Sequence, residues 1–466
     1  NLVARVNHGA CSSASLVEGS MSALEHITHK QSMGYGLLAL PLAFVALPMY
    51  VNVPHLYATQ YAVPLSLLGI VLLLTRLIDA LTDPFIGRFS DWLYAKSMHA
   101  VVVAALIFSV ILAFSFAALF NPPAWGSSSA YAMWVAVCVT ACHLCYSVLC
   151  IVHQAWVTRL GGTAAQQSRV LAWREGAGLW GGVLAAMLPL WLGWSLNALV
   201  LGVLLLLGVI SWRFAWTHHS TISNLTANNS TVANSKADAQ AHQVFGLFEP
   251  FQKKQFSKLL LIFVVNGIAS AVPASLVLFF VEDQIRVSAS HVPLFLGAYF
   301  LSGALSLPLW LMAIKRFDLP RAWLFGMVLA VISFMGVSQL GAGDEWAYFA
   351  ICVASGTALG ADLVVPGAIL NGLIDRWGQR GRAEGVYLGW WNLASKFNLA
   401  LAAGLSLPLL SWWGYSPGTQ DANGLQALSA AYGLFPCALK LLAALLLFLF
   451  WRTSAKADAS NFSNAS

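Results

Sequence analysis

Charge is what this sequence has least of. Only 9% of its 466 residues are Asp, Glu, Lys or Arg, against about 25% in a typical soluble domain. A disordered chain needs high charge and low hydrophobicity, so that class is excluded. The complement is 59% hydrophobic residues and a mean hydropathy of +0.73, which excludes a water-soluble enzyme. Cysteine is sparse and odd in number. Cys11, Cys138, Cys142, Cys145, Cys150, Cys352 and Cys437 lie mostly inside apolar runs, which argues against an extracellular disulfide framework. A Gly-x-x-x-x-Gly-Lys-Ser/Thr loop is missing, so ATP hydrolysis has no phosphate cradle. A potassium-type filter loop is missing as well. The first 33 residues hold no long apolar core, and no cleavable signal peptide is expected.

What is present is a series of long apolar runs. A helix needs about 20 mostly apolar residues to cross a bilayer. Twelve segments qualify, at 34–54, 62–82, 99–120, 130–153, 174–192, 195–217, 256–281, 291–314, 321–341, 345–370, 383–411 and 425–451. The expected fold is therefore an all-α integral membrane protein of 12 transmembrane helices. A polar stretch at 218–255, rich in Ser, Thr, Asn and Ala, divides them six and six. The expected organisation is an N-terminal tail (1–33), a first six-helix bundle (34–217), a linker (218–255), a second bundle (256–451) and a C-terminal tail (452–466). Twenty of the 24 basic residues fall in alternate loops on one side, and the opposite loops hold only Arg286. Positive charge stays on the cytoplasmic side, so both termini and the linker are expected there. The net charge of +6 is thus a topology signal, and no nucleic-acid partner is expected. The environment is a lipid bilayer and the chain is expected to be a monomer.

Ionisable residues inside a span cost roughly 2.5–3.5 kcal/mol each on insertion scales and usually mark a pathway. The densest group is Arg76-Leu-Ile-Asp79-Ala-Leu-Thr82-Asp83-Pro84. Positions 76, 79 and 83 share one helical face. Two carboxylates one turn apart repel, so a cation, a proton or Arg76 must offset them, and Thr82 supplies another oxygen. The alternative is a structural ion-pair cluster at a helix end. Lys396, near Asn392 in the eleventh segment, needs an acidic or watery partner, for which Asp362 is a candidate. Lys440 lies in the last segment without an evident partner. In the fourth segment, Cys138, Cys142 and Cys145 form one stripe at 100° per residue. Ser147, Cys150 and Gln154 fall on the other side with His143. That separation favours helix packing over a metal site for the cysteines, and leaves Ser147, Cys150 and Gln154 as cavity lining. Arg174, beside Glu175, is either an interfacial snorkeller or a cavity arginine.

These motifs resemble a known family. Arg76-x-x-Asp79-x-x-x-Asp83-Pro84-x-x-Gly87, Ala361-Asp362, and Arg382-Ala383-Glu384-Gly385 resemble three blocks of the glycoside–pentoside–hexuronide:cation symporters, the melibiose-permease type within the major facilitator superfamily. The likeness runs from about 34 to 451. It implies a secondary transporter, not an enzyme, in a bacterial inner membrane, coupling Na⁺, Li⁺ or H⁺ to uptake of a small-molecule substrate, with no cofactor. It implies cation ligands at Asp79, Asp83, Thr82 and Ser147. It implies substrate contacts at Arg174, Lys396, Cys150, Gln154 and Asn392, and gating or interhelix charges at Arg76, Arg88, Asp91, Asp362, Arg382 and Glu384. Three departures stand out. Ala43 and Cys150 occupy positions where galactoside carriers of this type have sugar-gripping aspartates, and Gln154 stands where they have a Trp. A lysolipid or other amphiphile on the same fold is thus a second expectation.

Overall fold

The computed structural model describes residues 28–124, 127–160, 163–227, 246–288, 291–415 and 421–463. Every regular element among them is helical. Eight are long and apolar enough to cross a membrane. The first expected span is broken into α1 (His29–Gly36), α2 (Ala39–Leu47), a π-helical turn at Pro48–Asn52, and α3 (Val53–Thr59). Pro41, Pro48 and Pro54 explain the breaks, because each removes a backbone donor and crowds the preceding turn. The chain continues through α4 (Leu65–Lys96), α5 (Met98–Phe120) and α6 (Ser128–Leu160). The fifth and sixth expected spans are two helices, together α7 (Ala164–Ala227), that meet at a kink at Gly193, whose φ of 66° suits glycine.

The second half comprises α8 (Lys254–Phe279), α9 (Val292–Phe317), α10 (Leu319–Met335), α11 (Glu345–Arg376), α12 (Glu384–Trp412), α13 (Ala422–Ser429) and α14 (Phe435–Ser463). The stretch expected to be a linker is helical up to Ala227, and residues 228–245 of it lie outside the described residues. Residues 452–463, expected as tail, continue α14. Extending a formed helix adds one hydrogen bond per residue fixed, so polar residues can follow an apolar run without breaking it.

α4 shows how lipid shapes the design. Its buried positions include Asp79 and Asp83, 4% and 0% exposed, while Leu73, Leu81 and Phe85 are 68%, 57% and 62% exposed. In water this pattern would be inverted. With hydrocarbon outside, apolar side chains face out and the charges turn inward.

The two halves meet along α4 and α12. Glycines make the approach possible. A Cβ on Gly87 would overlap the Gly385 carbonyl, and one on Gly385 would overlap the Gly87 carbonyl. Gly389 packs in the same way on the backbone of Asp83. Close backbone contact through small residues is the usual way membrane helices gain packing energy. Here it brings the carboxylates of α4 against α12.

Candidate functional site

The site forms where α4, α6 and α12 converge. Pro84 cannot donate to the carbonyl of residue 80, so the turn beside the carboxylates lacks one ladder bond. Lys396 reaches in from α12. Its Nζ lies 2.7 Å from Asp79 Oδ1 and 2.8 Å from Asp83 Oδ2. It donates to Asp83 Oδ1 at 2.8 Å and to Ser147 Oγ at 2.7 Å. Ser147 in turn donates to Asp79 Oδ1 at 2.7 Å. The three protons of the ammonium are thereby matched by Asp79, Asp83 and Ser147. Asp83 Oδ2 is near the charge but accepts no hydrogen bond. Its distance of 2.8 Å fits an ion pair with the ammonium.

His143 completes the cluster, with Nδ1 3.2 Å from Asp79 Oδ2. It stands one turn before Ser147 on α6, so both reach the same carboxylate. That i, i+4 relation was the sequence signal that could have placed His143 in the site. Thr82 turns elsewhere. Its hydroxyl donates to the Asp79 carbonyl at 2.9 Å, the usual back-bond of a helical threonine. Arg76 is exposed on α4, and the cation between the two aspartates is Lys396.

Asp362 has a different partner from the one expected. Lys440 Nζ lies 2.5 Å from Asp362 Oδ2 and donates to Ser270 Oγ at 3.0 Å. Asn266 Nδ2 and Trp323 Nε1 donate to Asp362 Oδ1 at 3.1 and 2.8 Å. Asp362 is therefore bound to α8, α10 and α14, and Lys396 reaches across to α4 and α6. The reason is the glycine seam, which sets α12 directly on α4.

Toward one end of the seam lies a second charge cluster. Asp91 Oδ1 and Oδ2 accept from the backbone N–H groups of Gly385 and Val386 at 2.7 and 2.9 Å. This is a carboxylate seated on the N-terminus of α12, where the helix dipole favours it. Arg159 from α6 pairs with Glu384 at 2.9 Å and Asp91 at 3.4 Å, and donates to the Gly381 carbonyl at 3.1 Å. Its guanidinium lies 4.3 Å from the centre of the Tyr94 ring. Thr158 donates to Asn371 Oδ1 at 2.6 Å, tying α6 to α11. The expected gate acids Asp91 and Glu384 are thus joined, but by Arg159. Arg88 is exposed and Arg382 half-buried. In the sequence Arg159 gives no sign of this role, because a basic residue at a helix end reads as a topology marker.

Arg159→Leu leaves Asp91 and Glu384 buried together without their cation. Removing one partner of a buried pair costs about 3–5 kcal/mol. The expected result is a matching drop in stability and faster alkylation of a cysteine introduced at Asn371. Unchanged unfolding and unchanged alkylation would remove the interhelix lock from the site.

Of the expected substrate residues, Lys396 is the centre of the ion cluster, and the other four make no hydrogen bond to it that the structure shows. Arg174 pairs with its neighbour Glu175, and its Nε has no hydrogen-bond partner. Cys150 is buried, and Gln154 is half-buried two turns beyond Ser147 on α6. Asn392, one turn before Lys396, has an unpartnered buried Nδ2. Cys138, Cys142 and Cys145 are buried.

Comparison with known proteins fits this architecture. A family model described as MFS/sugar transport protein matches residues 32–452. No curated protein matches the chain. Among solved structures, a bacterial homologue of the iron transporter ferroportin in an outward-facing state is similar, with a TM-score of 0.67 at 13% identity. The likeness covers 92% of this chain and 100% of that one. The same homologue with soaked iron gives 0.65 at 14% identity, covering 91% and 99%. At this identity the likeness is one of fold.

Proposed function

The chain belongs to the MFS/sugar transport family of membrane transporters, and from that premise we propose that it is a cation-coupled symporter working by alternating access. The coupling ion is Na⁺, Li⁺ or H⁺. The solute is small and organic, a sugar or glycoside. The observation that supports this most is one ammonium shared by two carboxylates at the seam between the halves, with Lys396 Nζ 2.7 and 2.8 Å from Asp79 and Asp83. A locus built to hold positive charge, with contributions from both bundles, changes when the bundles rock.

The mechanism follows from exchange of positive charge. A cation entering between Asp79 and Asp83 takes over the neutralisation that Lys396 supplies. Ser147 and Asp83 Oδ2 are its added ligands, with Thr82 after rotation of its hydroxyl. Lys396 is then released for the solute, with Asn392 one turn away on α12 and Arg174, Cys150 and Gln154 as the proposed contacts from the first half. Cation binding thereby prepares the solute pocket, and the seam beside Asp91, Arg159 and Glu384 opens after loading. The membrane is a bacterial inner membrane, with both termini cytoplasmic, and the working unit is a monomer.

A second reading has a specific observation behind it. Ala43 is half-buried and Cys150 is buried, so neither position offers a charge-assisted hydrogen bond to a sugar hydroxyl. That favours an amphiphile such as a lysolipid. Competition by lysolipids but not sugars selects this reading.

Thermal unfolding at fixed ionic strength tests the cation site without a known solute. A ligand that binds only the folded state raises its stability. Replacing choline by Na⁺ or Li⁺ is expected to raise the unfolding midpoint saturably. A midpoint indifferent to Na⁺, Li⁺ and pH would end the symport proposal and leave the fold assignment standing.

A further inference from the structure

The second half holds a half-open cavity of about 130 Å³. Its lining comes from α8, α9, α10, α11, α14 and the π-helical turn before α14. None of the lining residues belongs to the first half or to α12, which carries Lys396. The site is therefore separate from the ion cluster at the seam.

Most of the wall is apolar, with Val277, Phe295, Val331 and Phe334 among its residues. The volume is close to the ~150 Å³ known to hold one benzene ring in a dry protein cavity. Polar groups appear at defined places. Lys440 lines the cavity and uses two donors, to Asp362 Oδ2 and Ser270 Oγ, at 2.5 and 3.0 Å. An ammonium has a third. Tyr348 and Tyr432 also line it, and their hydroxyl oxygens are 2.6 Å apart. One of their two protons is spent between them. Where Tyr432 donates to Tyr348, the remaining proton, on Tyr348, has the Cys352 thiol beside it, a weak acceptor.

Acceptors are the scarcer kind. Asp362 already receives Asn266, Trp323 and Lys440. Ser355 donates to the Cys352 carbonyl. The cavity thus offers donors at an apolar wall. Its one lysine is balanced by its one carboxylate, so an anionic ligand would bring an uncompensated charge into a low-dielectric site.

We propose that this cavity binds a neutral molecule of about one ring in size that carries a hydrogen-bond-accepting oxygen, such as an aryl ketone or alcohol. The oxygen accepts from Lys440 or from the tyrosine pair, and the ring packs on the phenylalanines. The ring fits the volume, and the oxygen meets a donor that the protein leaves unused. The inference does not depend on symport, since it concerns a different set of helices.

The full-length purified protein in detergent tests it, with acetophenone as probe, toluene as the acceptor-free control and benzoate as the anionic one. Acetophenone is expected to raise the unfolding midpoint saturably. Toluene should bind about tenfold more weakly, the equivalent of one net hydrogen bond, and benzoate more weakly still. Ser355→Phe fills the cavity and should abolish the rise. Should that variant not fold, Ala330→Leu fills the same space from α10. An absent or unsaturable rise overturns the proposal, as does a rise that survives the filling variant. Toluene binding as tightly as acetophenone overturns the polar recognition. Neither Na⁺ nor a transported solute is needed, so failure here leaves the symport reading untouched.

Discussion

Lys396→Met is expected to destabilise the protein by about 3–5 kcal/mol, because it strands two buried carboxylates at once. Asp79 keeps Ser147 and His143, at 2.7 and 3.2 Å. Asp83 is wholly buried and loses its ammonium. Added Na⁺ or Li⁺ should recover part of the loss, since it supplies the charge the lysine provided. The double variant Asp83→Asn/Lys396→Met should be more stable than Lys396→Met alone. Removing the second carboxylate takes away the repulsion that the first change exposed. Groups in direct contact couple in this way, and distant ones simply add. Chemical unfolding of wild type, both single variants and the double variant closes the cycle. A double variant as unstable as the sum of the singles would show that Lys396 does not hold the carboxylates together.

Some of this site is readable from one dimension. The carboxylates of α4 stand out because a charge in an apolar run has few reasons to be there. Their spacing puts them on one face, and they are buried while the surrounding leucines are exposed. The blocks at Asp362 and Arg382–Gly385 are equally visible as interruptions of apolar sequence. Pairing is a different matter. Lys396 and Lys440 both lie in apolar segments, with Asp79, Asp83 and Asp362 as possible partners, and charge balance alone permits more than one matching. Helical periodicity relates residues within a turn or two. It says nothing about a contact between Asp83 and Lys396, 313 positions apart. What decides the matching is the close approach of Gly87 to Gly385 and of Gly389 to Asp83. Those glycines are ordinary letters until the helices are docked.

Local breaks show the same division. Three prolines in the first apolar segment are legible as weak points, and the helix is indeed broken there into short pieces. The break at Gly193 falls in the gap that the sequence leaves between the fifth and sixth apolar segments, and its φ of 66° is one that glycine adopts readily. Arg159 is the clearest hidden residue. It ends α6, where a basic residue usually means only a cytoplasmic boundary, yet its guanidinium joins Asp91 to Glu384.

Asp83→Asn separates coupling from folding. The amide has the shape of the carboxylate, and Lys396 retains Asp79 and Ser147 as partners. The folded yield should therefore change little. The exchange of a mobile cation for Lys396 requires two negative charges, and one remains. Accumulation driven by the ion should vanish. One charge moving through 100 mV gains about 2.3 kcal/mol, which at 1.4 kcal/mol per tenfold corresponds to roughly a forty- to fifty-fold concentration ratio. The variant should bring the internal solute only to the external level, a loss of that whole ratio, while exchange of labelled for unlabelled solute continues. Proteoliposomes loaded by a Na⁺ or H⁺ gradient measure the first quantity, and counterflow without a gradient measures the second. The Na⁺-dependent rise in unfolding midpoint should disappear in parallel. If the variant still accumulates solute to the wild-type ratio under the same gradient, Asp83 is a structural acid. The coupling ion would then have to bind elsewhere, and the seam between α4 and α12 would be a hinge held by Lys396 with no part in energy transfer.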